Sequence, residues 1–360
     1  MLEKRRMKES ARPQHLASLQ AFRGLAALAV VFYHTGLFSK RQLDVEFCGD
    51  VFRFGELGVD FFFVLSGFII TLIHWRDLGI PSKAPRYLWR RFIRIYPLLF
   101  FVTTAKLGLQ ILQTGGLPAD IDLSRILASY LMIPPPDGQF PIVTAAWSLS
   151  HEALFYALFL AAILLGKRAT LIAFGAWGSL IALLEGFQLS ISGSGAFIFD
   201  NHNLEFILGV GVCLLLNRPS QWSSSSLPPQ MAVTAAFLIS GMYLFEPASG
   251  IEQTFSVRLL IGLGCAGIIH SAVVMERAKS MPTFPRFVYW LGDASYSIYL
   301  GHSMVLLICI QLAHPWLSRL PIQGTQVVLA TFACVAVAAT SILWRFVEKP
   351  LLDWSKKPSR

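Results

Sequence analysis

Two ionisable side chains, those of Arg23 and His34, lie inside the first apolar stretch that is long enough to cross a bilayer, residues 16–38. Ionisable groups at bilayer depth are costly, so they indicate a functional site. Their spacing of eleven residues is about three helical turns, which puts both side chains on one helix face, about 16 Å apart. One face therefore carries a guanidinium towards one membrane surface and an imidazole towards the other.

General base chemistry is what His34 could supply, provided that a carboxylate holds its ring. Three carboxylates fall near the starts of other apolar stretches, at the depth that we expect for His34: Glu152, Asp60 and Glu205. Any of the three could be the carboxylate partner of His34. Plainer interpretations stay open, because His34 could face a cavity and bond a backbone carbonyl, and the carboxylates could simply cap helix ends.

Phosphate binding is the chemistry that Arg91 and Arg94 could supply. They lie three residues apart in the segment RYLWRRFIRIYP, residues 86–97, and so share one helical face. Planar guanidinium groups bind phosphate through two parallel hydrogen bonds. Arg23 could extend this clamp from the first stretch. The alternative is that these arginines only anchor a helix at a membrane surface.

A second histidine, His302, ends the segment GDASYSIYLGH, residues 292–302, where Tyr296 precedes it by six residues. It falls near the middle of an apolar stretch, so it could join the site or serve as an interhelical hydrogen-bonding residue. Near the end of the chain, Arg345 and Glu348 lie three residues apart, which predicts an ion pair within one helix.

Known cofactor and metal motifs are missing from the sequence. We find no P-loop, dinucleotide fingerprint, HExxH or GxSxG pattern, and the five cysteines form no CxxC pair. We therefore expect no metal site and no permanently bound cofactor.

Composition identifies the elements that must position these residues. Of the 360 residues, 54% are hydrophobic and only 14% are charged, with a mean hydropathy of +0.57. Soluble domains carry about 25% charged residues, so we predict an all-α polytopic membrane bundle. The ten expected spans are 17–38, 57–74, 95–112, 147–166, 169–187, 204–217, 230–246, 257–275, 291–313 and 325–345, of which the sixth is the least secure.

The basic residues predict the orientation of this bundle. With the chain ends in the cytoplasm, 22 of the 30 Lys and Arg residues fall on the cytoplasmic side and six outside. This asymmetry accounts for the net charge of +9 without nucleic-acid binding. We therefore divide the chain into a basic cytoplasmic N-terminus (1–16), a transmembrane domain (17–345) and a cytoplasmic tail (346–360).

The chain resembles the acyltransferase family 3 membrane proteins, which include O-antigen, exopolysaccharide and Nod-factor O-acetylases. Seven segments match in the family's order and together cover nearly the whole chain. They are LQAFRGLAALAVVFYH at 19–34, GVDFFFVLSGFII at 58–70, RRFIRIYP at 90–97, WSLSHEALFY at 147–156, EFILGVG at 205–211, SYSIYLGH at 295–302 and RFVEKP at 345–350. One departure is His151, where apolar residues are more usual in the family.

The resemblance implies a transmembrane acyltransferase domain in a bacterial inner membrane, with acetyl-CoA or another acyl-CoA as the donor substrate. His34 and Glu152 are then expected to be catalytic, with Glu152 orienting the imidazole of His34. Arg23, Arg91 and Arg94 are expected to bind acyl-CoA. Further residues that could line the site are Asp60, Ser66, Trp147, Ser148, Glu205, Tyr296 and His302.

The expected acceptor is a hydroxyl of a cell-surface or exported carbohydrate or glycolipid, such as exopolysaccharide or lipopolysaccharide. Some family members carry a C-terminal SGNH-type hydrolase-like domain, which we do not expect here. The membrane part or a partner from a polysaccharide-assembly machine would then acylate the acceptor. Two other interpretations stay open: a transporter or flippase for a lipid-linked sugar, and a non-catalytic assembly subunit.

Overall fold

Helices make up the regular structure of the computed structural model, which describes residues 16–135, 138–189, 191, 194–217, 227–245, 254–317 and 319–355. The α-helices are α1 (Ala17–Leu43), α2 (Gly58–His74), α3 (Ala84–Thr114), α4 (Leu123–Leu131), α5 (Trp147–Leu165), α6 (Lys167–Gly186), α7 (Ser194–Ile198), α8 (Asn203–Leu216), α9 (Leu227–Leu244), α10 (Phe255–Arg277), α11 (Arg286–Leu317), α12 (Ile322–Leu343) and α13 (Lys349–Ser355). A 3-10 helix (Cys48–Leu57) leads into α2, and a π-helical segment (Trp344–Glu348) joins α12 to α13.

The described residues contain nine helices that are long and apolar enough to cross a membrane. This confirms a polytopic helical membrane protein. The sixth expected span meets the criterion because α7 and α8 together extend it to Gly195–Leu216. The seventh expected span falls short of this length, because its apolar helix covers only Pro229–Leu244. Most of the N-terminal segment 1–16 lies outside the described residues, and the cytoplasmic location of the chain ends stays a prediction.

Helices α1 and α11 pack closely, and this contact positions the site. A Cβ atom on Gly292 would lie 1.9 Å from the carbonyl oxygen of Gln20, and one on Gly24 would lie 2.6 Å from that of Val288. Only glycine permits such an approach, which is how small residues bring membrane helices together. The Gln20 side chain also donates to Asp293 at 2.7 Å. As a result, polar residues on the facing sides of α1 and α11 come within reach of one another.

Helices α3 and α5 complete the wall around this pair. Tyr296 of α11 donates its hydroxyl to the backbone carbonyl of Ile95 in α3 at 2.9 Å. The hydroxyls of Tyr299 in α11 and Ser148 in α5 lie 2.7 Å apart. Helix α2 is held against α8 by a second close contact, where a Cβ atom on Gly67 would lie 2.1 Å from the Phe206 carbonyl oxygen. The four helices α1, α3, α5 and α11 and the facing side of α2 thus enclose one space.

The chain continues as a helix beyond residue 345. The segment that we predict to be a cytoplasmic tail, 346–360, begins with the end of the π-helical segment and with α13, and residues 356–360 lie outside the described part of the chain. A π turn contains one extra residue, so it rotates the following side chains relative to the preceding helix. Glu348 thereby becomes almost completely buried.

Candidate active site

A cavity of about 440 Å³ opens among α1, α2, α3, α5 and α11. Ligand-binding cavities in proteins span roughly 300–1,000 Å³, so this space holds part of a large ligand or the whole of a small one. Seven of the residues that we predict for the site line it: Arg23, Ser66, Arg91, Arg94, Ser148, Glu152 and Tyr296. Five do not: His34, Asp60, Trp147, Glu205 and His302.

Three guanidinium groups face the end of the cavity near the start of α1. Among the described residues, no carboxylate lies within hydrogen-bonding distance of Arg23. Its side chain donates one hydrogen bond there, to the Gln20 side-chain oxygen at 3.3 Å. Arg91 lies over the rings of Tyr87 and Tyr156, 5.5 and 5.2 Å from their centroids. Its Nε is buried without a hydrogen-bond partner. Both groups therefore retain donors for an anionic ligand.

The third guanidinium, that of Arg94, is already paired. It contacts Glu348 at 2.6 Å, and the other oxygen of Glu348 accepts the Ser297 hydroxyl, also at 2.6 Å. The predicted ion pair between Arg345 and Glu348 is therefore wrong. The reason is the π-helical segment, which turns Glu348 inward while Arg345 stays exposed.

Glu152 also lies in the cavity, and not beside His34 as we predict. Its Oε1 accepts the hydroxyls of Ser66, at 3.2 Å, and Tyr156. The carboxylate thus belongs with the guanidinium groups, because Tyr156 is the residue over which Arg91 stacks. A depth estimated along a helix axis does not give the direction in which a side chain leaves the helix. Glu152 points into the cavity, so the predicted pairing of Glu152 with His34 is wrong.

The partner of His34 is His302. The His34 Nδ1 atom lies 3.1 Å from His302 Nε2 and 3.0 Å from the Val30 carbonyl oxygen. The ring centroids are 4.9 Å apart. His302 Nδ1 lies 2.8 Å from the Ile298 carbonyl oxygen, so it must carry the proton of that ring. His302 Nε2 is then an acceptor, and we assign the His34 proton to Nδ1.

This assignment leaves His34 Nε2 with a free lone pair. His34 is partly exposed, whereas His302 is fully buried. A ring nitrogen with a free lone pair and a fixed tautomer, on a partly exposed residue, is what a general base requires. The signal for His302 in the sequence was its place at the end of SYSIYLGH, which could not distinguish a partner of His34 from a residue lining a cavity.

Tyr299 connects the cavity to this histidine pair. It lines the cavity and precedes His302 by three residues, and their ring centroids are 6.3 Å apart. Its hydroxyl bonds Ser148 and donates to the Ala145 carbonyl oxygen at 3.1 Å. In the sequence, Tyr299 is marked only by its place in the segment SYSIYLGH. The far end of the cavity therefore lies within about one helical turn of the imidazoles.

Asp60 and Glu205 belong to a separate buried cluster. Asp60 pairs with Arg258 of α10 at 2.8 Å, and both side chains are at most 4% exposed. Glu205 and Arg258 line a second, smaller pocket. No local signal in the sequence connects Arg258 with Asp60, because 198 residues separate them. With its charge neutralised by Arg258, Asp60 stabilises the packing of α2 on α10 and does not serve His34.

Trp147 lies over a group of histidines. Its ring centroid is 5.0 Å from that of His202 and 5.7 Å from that of His151. His151, Asp200 and His202 have possible ligand atoms that all lie within 4.8 Å of one another. No short motif connects them, since they come from two separate parts of the chain.

Chemically, the site has two unlike ends on the same pair of helices. One end offers a cavity, spare guanidinium donors and hydroxyl groups, which suits a phosphorylated ligand. The other end offers a neutral imidazole with a free nitrogen, on a partly exposed residue, which suits proton abstraction from a hydroxyl.

Comparison with known proteins gives the family that this chain resembles in sequence. A family model described as an acyltransferase domain matches residues 16–345. An exopolysaccharide production protein, ExoZ, of Rhizobium meliloti is 28% identical over 282 residues, which cover 72% of this chain and 80% of that protein. A putative acetyltransferase of Acidianus two-tailed virus is 25% identical, over 85% of this chain and 90% of that protein.

A third relative is a putative O-acetyltransferase of Staphylococcus aureus strain COL, which is 27% identical over 94% of this chain. The chain spans 57% of the length of that relative. No solved structure matches this chain.

Proposed function

This chain belongs to the acyltransferase family whose model it matches over residues 16–345, and we propose that it transfers an acetyl group from acetyl-CoA to a carbohydrate hydroxyl. Membership makes it a multi-pass membrane acyltransferase. The observation that carries the finer proposal is the separation of a guanidinium-lined cavity from a partly exposed imidazole on the same two helices, α1 and α11.

The donor enters the cavity from the end where α1 begins. Arg23 and Arg91 bind its phosphates, and Arg94 adds positive charge while Glu348 holds its side chain in place. Three guanidinium groups face two carboxylates, Glu152 and Glu348, so an excess of positive charge remains for the donor. Arginine suits this role because its planar donors match phosphate oxygens.

The distance between Arg23 and His34 supports a thioester near Tyr299. Arg23 and His34 lie about 16 Å apart along α1, since an α-helix rises about 1.5 Å per residue. The extended pantetheine arm of CoA spans a similar distance. Phosphates held at the guanidinium end therefore leave the thioester beside Tyr299 and Ser148, within a helical turn of the histidine pair.

At that point His34 acts as the general base. Its Nε2 takes the proton of the acceptor hydroxyl as the oxygen attacks the thioester carbonyl, and the C–S bond then breaks. The departing thiolate of CoA receives a proton from the imidazolium, which restores neutral His34. His302 is a positioning residue, because its Nε2 accepts the Nδ1 proton of His34 and favours the tautomer that can act as a base.

The acceptor approaches from the opposite membrane side. The excess of Lys and Arg residues on one side supports a cytoplasmic donor end, in keeping with a bacterial inner membrane and with acyl-CoA made inside the cell. Two relatives are named for exopolysaccharide production and O-acetylation, which supports an exported carbohydrate or glycolipid as the acceptor.

A direct test compares cells that carry the wild-type chain, the His34→Ala variant or no copy. Mass spectrometry of surface glycans and of small secreted metabolites should find an acetylated product only with the wild-type chain. The matched control is His314→Ala, which removes an exposed histidine from the end of α11. A sugar that crosses the membrane unmodified, without any acyl-CoA requirement, would instead indicate a transporter.

A further inference from the structure

The last residue of α2, His74, contacts a guanidinium group of the cavity without lining the cavity itself. Its Nε2 lies 3.3 Å from Arg91 Nη2, and its Nδ1 lies 2.8 Å from a carboxylate oxygen of Asp77. Asp77 lies in the turn that follows α2, and its side chain is partly exposed. His74 is buried between these two neighbours, so the three side chains form a row of contacts from the cavity towards the surface of the bundle.

The chemistry of these neighbours assigns the proton of the His74 ring. An arginine side chain has only hydrogen-bond donors, so the contact with Arg91 requires His74 Nε2 to be an acceptor. An ionised carboxylate has only acceptors, so the contact with Asp77 requires the proton to be on Nδ1. His74 is therefore a neutral ring in one fixed tautomer. It accepts a hydrogen bond from Arg91 on one side and donates one to Asp77 on the other.

Two tyrosine rings restrict the same guanidinium from other directions. Arg91 lies over Tyr87 and Tyr156, and the Tyr87 hydroxyl donates to the Tyr156 backbone carbonyl at 3.1 Å. The Tyr87 ring also meets the His74 ring edge to face, with centroids 5.1 Å apart. A ring face attracts a cation but does not fix how the cation is rotated above it. The hydrogen bond to His74 is therefore the contact that sets the direction of the Arg91 donors.

Arg91 and Arg94 are held by unlike partners, although they lie on one face of α3. Arg94 pairs with the Glu348 carboxylate at 2.6 Å, which offsets its positive charge. Arg91 is held by a neutral imidazole, and the Asp77 carboxylate lies on the far side of that ring. A neutral acceptor orients a guanidinium and leaves its charge available to a ligand. Such a partner suits an arginine that binds phosphate.

We propose that His74 is a positioning residue, which holds the Arg91 guanidinium in the orientation that binds the donor phosphates, while Asp77 fixes the tautomer of His74. This inference rests on the proposed function, because it takes acetyl-CoA to be the ligand of Arg91. A guanidinium that is already held loses less conformational freedom when the donor binds. His74 therefore raises the affinity for the donor without touching it.

The test measures the Kd of acetyl-CoA by isothermal titration calorimetry, with the purified chain in lipid nanodiscs. His74→Leu should raise this Kd about 3–10-fold, because the net contribution of one hydrogen bond is lost. His74→Gln should stay within about 2-fold of wild type, since its amide oxygen is a neutral acceptor for Arg91. Asp77→Ala leaves the ring in place but frees its other tautomer, so it should raise the Kd about 3-fold.

A double-mutant cycle separates positioning from a merely structural role. In the Arg91→Ala background, His74→Leu should not raise the Kd further, because the guanidinium that His74 holds is already gone. In the background of Arg345→Ala, which removes an exposed arginine, His74→Leu should keep its full effect. The matched histidine control is His314→Leu, which removes an exposed histidine near the end of α11 and should bind acetyl-CoA as wild type does.

The possible failures are distinguishable. If acetyl-CoA does not bind the wild-type chain, or if Arg91→Ala leaves its Kd unchanged, the proposed donor site fails and this inference fails with it. If Arg91→Ala weakens binding but His74→Leu does not, the donor site stands and only this inference is refuted. Equal effects of His74→Leu in both arginine backgrounds, or equal impairment of the Leu and Gln variants, would mean that His74 only packs α2 against α3.

Discussion

The two ends of the α1–α11 helix pair hold their polar residues in opposite ways. Towards the start of α1, Arg23 and Arg91 face a cavity of about 440 Å³ with donors to spare. Towards its other end, His34 and His302 pack ring against ring, and backbone carbonyls of their own helices fix their protons.

This difference separates recognition from chemistry. The cavity end has space and excess charge, which allow it to bind a large anion, but no histidine lines it in the part of the chain that the structure describes. The histidine end has the base and a fixed tautomer, but it lies outside the cavity lining. Changes at one end should therefore alter donor affinity, and changes at the other should alter turnover.

The largest expected effect is that of His34→Ala. Turnover should fall about 10²–10⁴-fold, because that is what a positioned general base contributes. Acetyl-CoA affinity should stay unchanged, since His34 does not line the cavity. Single-turnover acyl transfer and equilibrium donor binding measure the two quantities separately. Turnover close to that of wild type would refute the assignment of the base.

Next in size is the effect of Arg91→Ala on donor binding. Loss of charge-assisted hydrogen bonds costs about 1.5–3 kcal/mol, which corresponds to a Kd for acetyl-CoA that is about 10–150-fold higher. Turnover at saturating donor should change far less. The control is Arg345→Ala, since Arg345 is an exposed arginine near the same end of the bundle. Equal losses in both variants would mean that the arginines only anchor helices.

A smaller effect is expected for His302→Leu, which removes the acceptor of the His34 Nδ1 proton. A typical net hydrogen bond is worth about 0.5–1.5 kcal/mol, so turnover should fall about 3–10-fold with donor affinity unchanged. His302→Gln, which offers an amide oxygen in the same region, should recover part of the activity. If the Gln and Leu variants are equally impaired, His302 acts through packing alone.

The smallest effect is predicted for Glu152→Gln. This change removes one negative charge near Arg91, so donor binding should tighten by about 2–5-fold, in line with weak ion pairs of 0.5–1 kcal/mol. The midpoint of the pH–rate profile should not move, because Glu152 has no contact with His34. A shifted midpoint together with a large loss of turnover would restore Glu152 as the partner of His34.

Spacing along single helices predicted much of this arrangement correctly. The positions of Arg23 and His34 on one helix follow from the helical repeat alone, and α1 is an unbroken helix from Ala17 to Leu43. The helical membrane class followed from composition, because lipid leaves the backbone few other ways to satisfy its hydrogen bonds. The motif WSLSHEALFY identified Ser148 and Glu152 as residues of the cavity.

Partnerships between distant helices could not be predicted in the same way. His34 meets His302, Arg94 meets Glu348, and Asp60 meets Arg258, although at least 198 residues separate the members of each pair. The two pairs that we predict, His34 with Glu152 and Arg345 with Glu348, were both wrong, because neither a depth along the membrane nor a spacing along the chain gives the rotation of a helix about its own axis.

By itself, the sequence determined the membrane class, the apolar helices and the set of residues able to do chemistry. The cost of burying polar groups in lipid and the helical repeat both depend only on residues that are near one another in the chain. Only the tertiary structure decided which of those residues meet. That choice depends on close contacts such as the one between Gly24 and Gly292, and on the π-helical turn that directs Glu348 towards Arg94. Both set helix rotation, which no short stretch of sequence encodes.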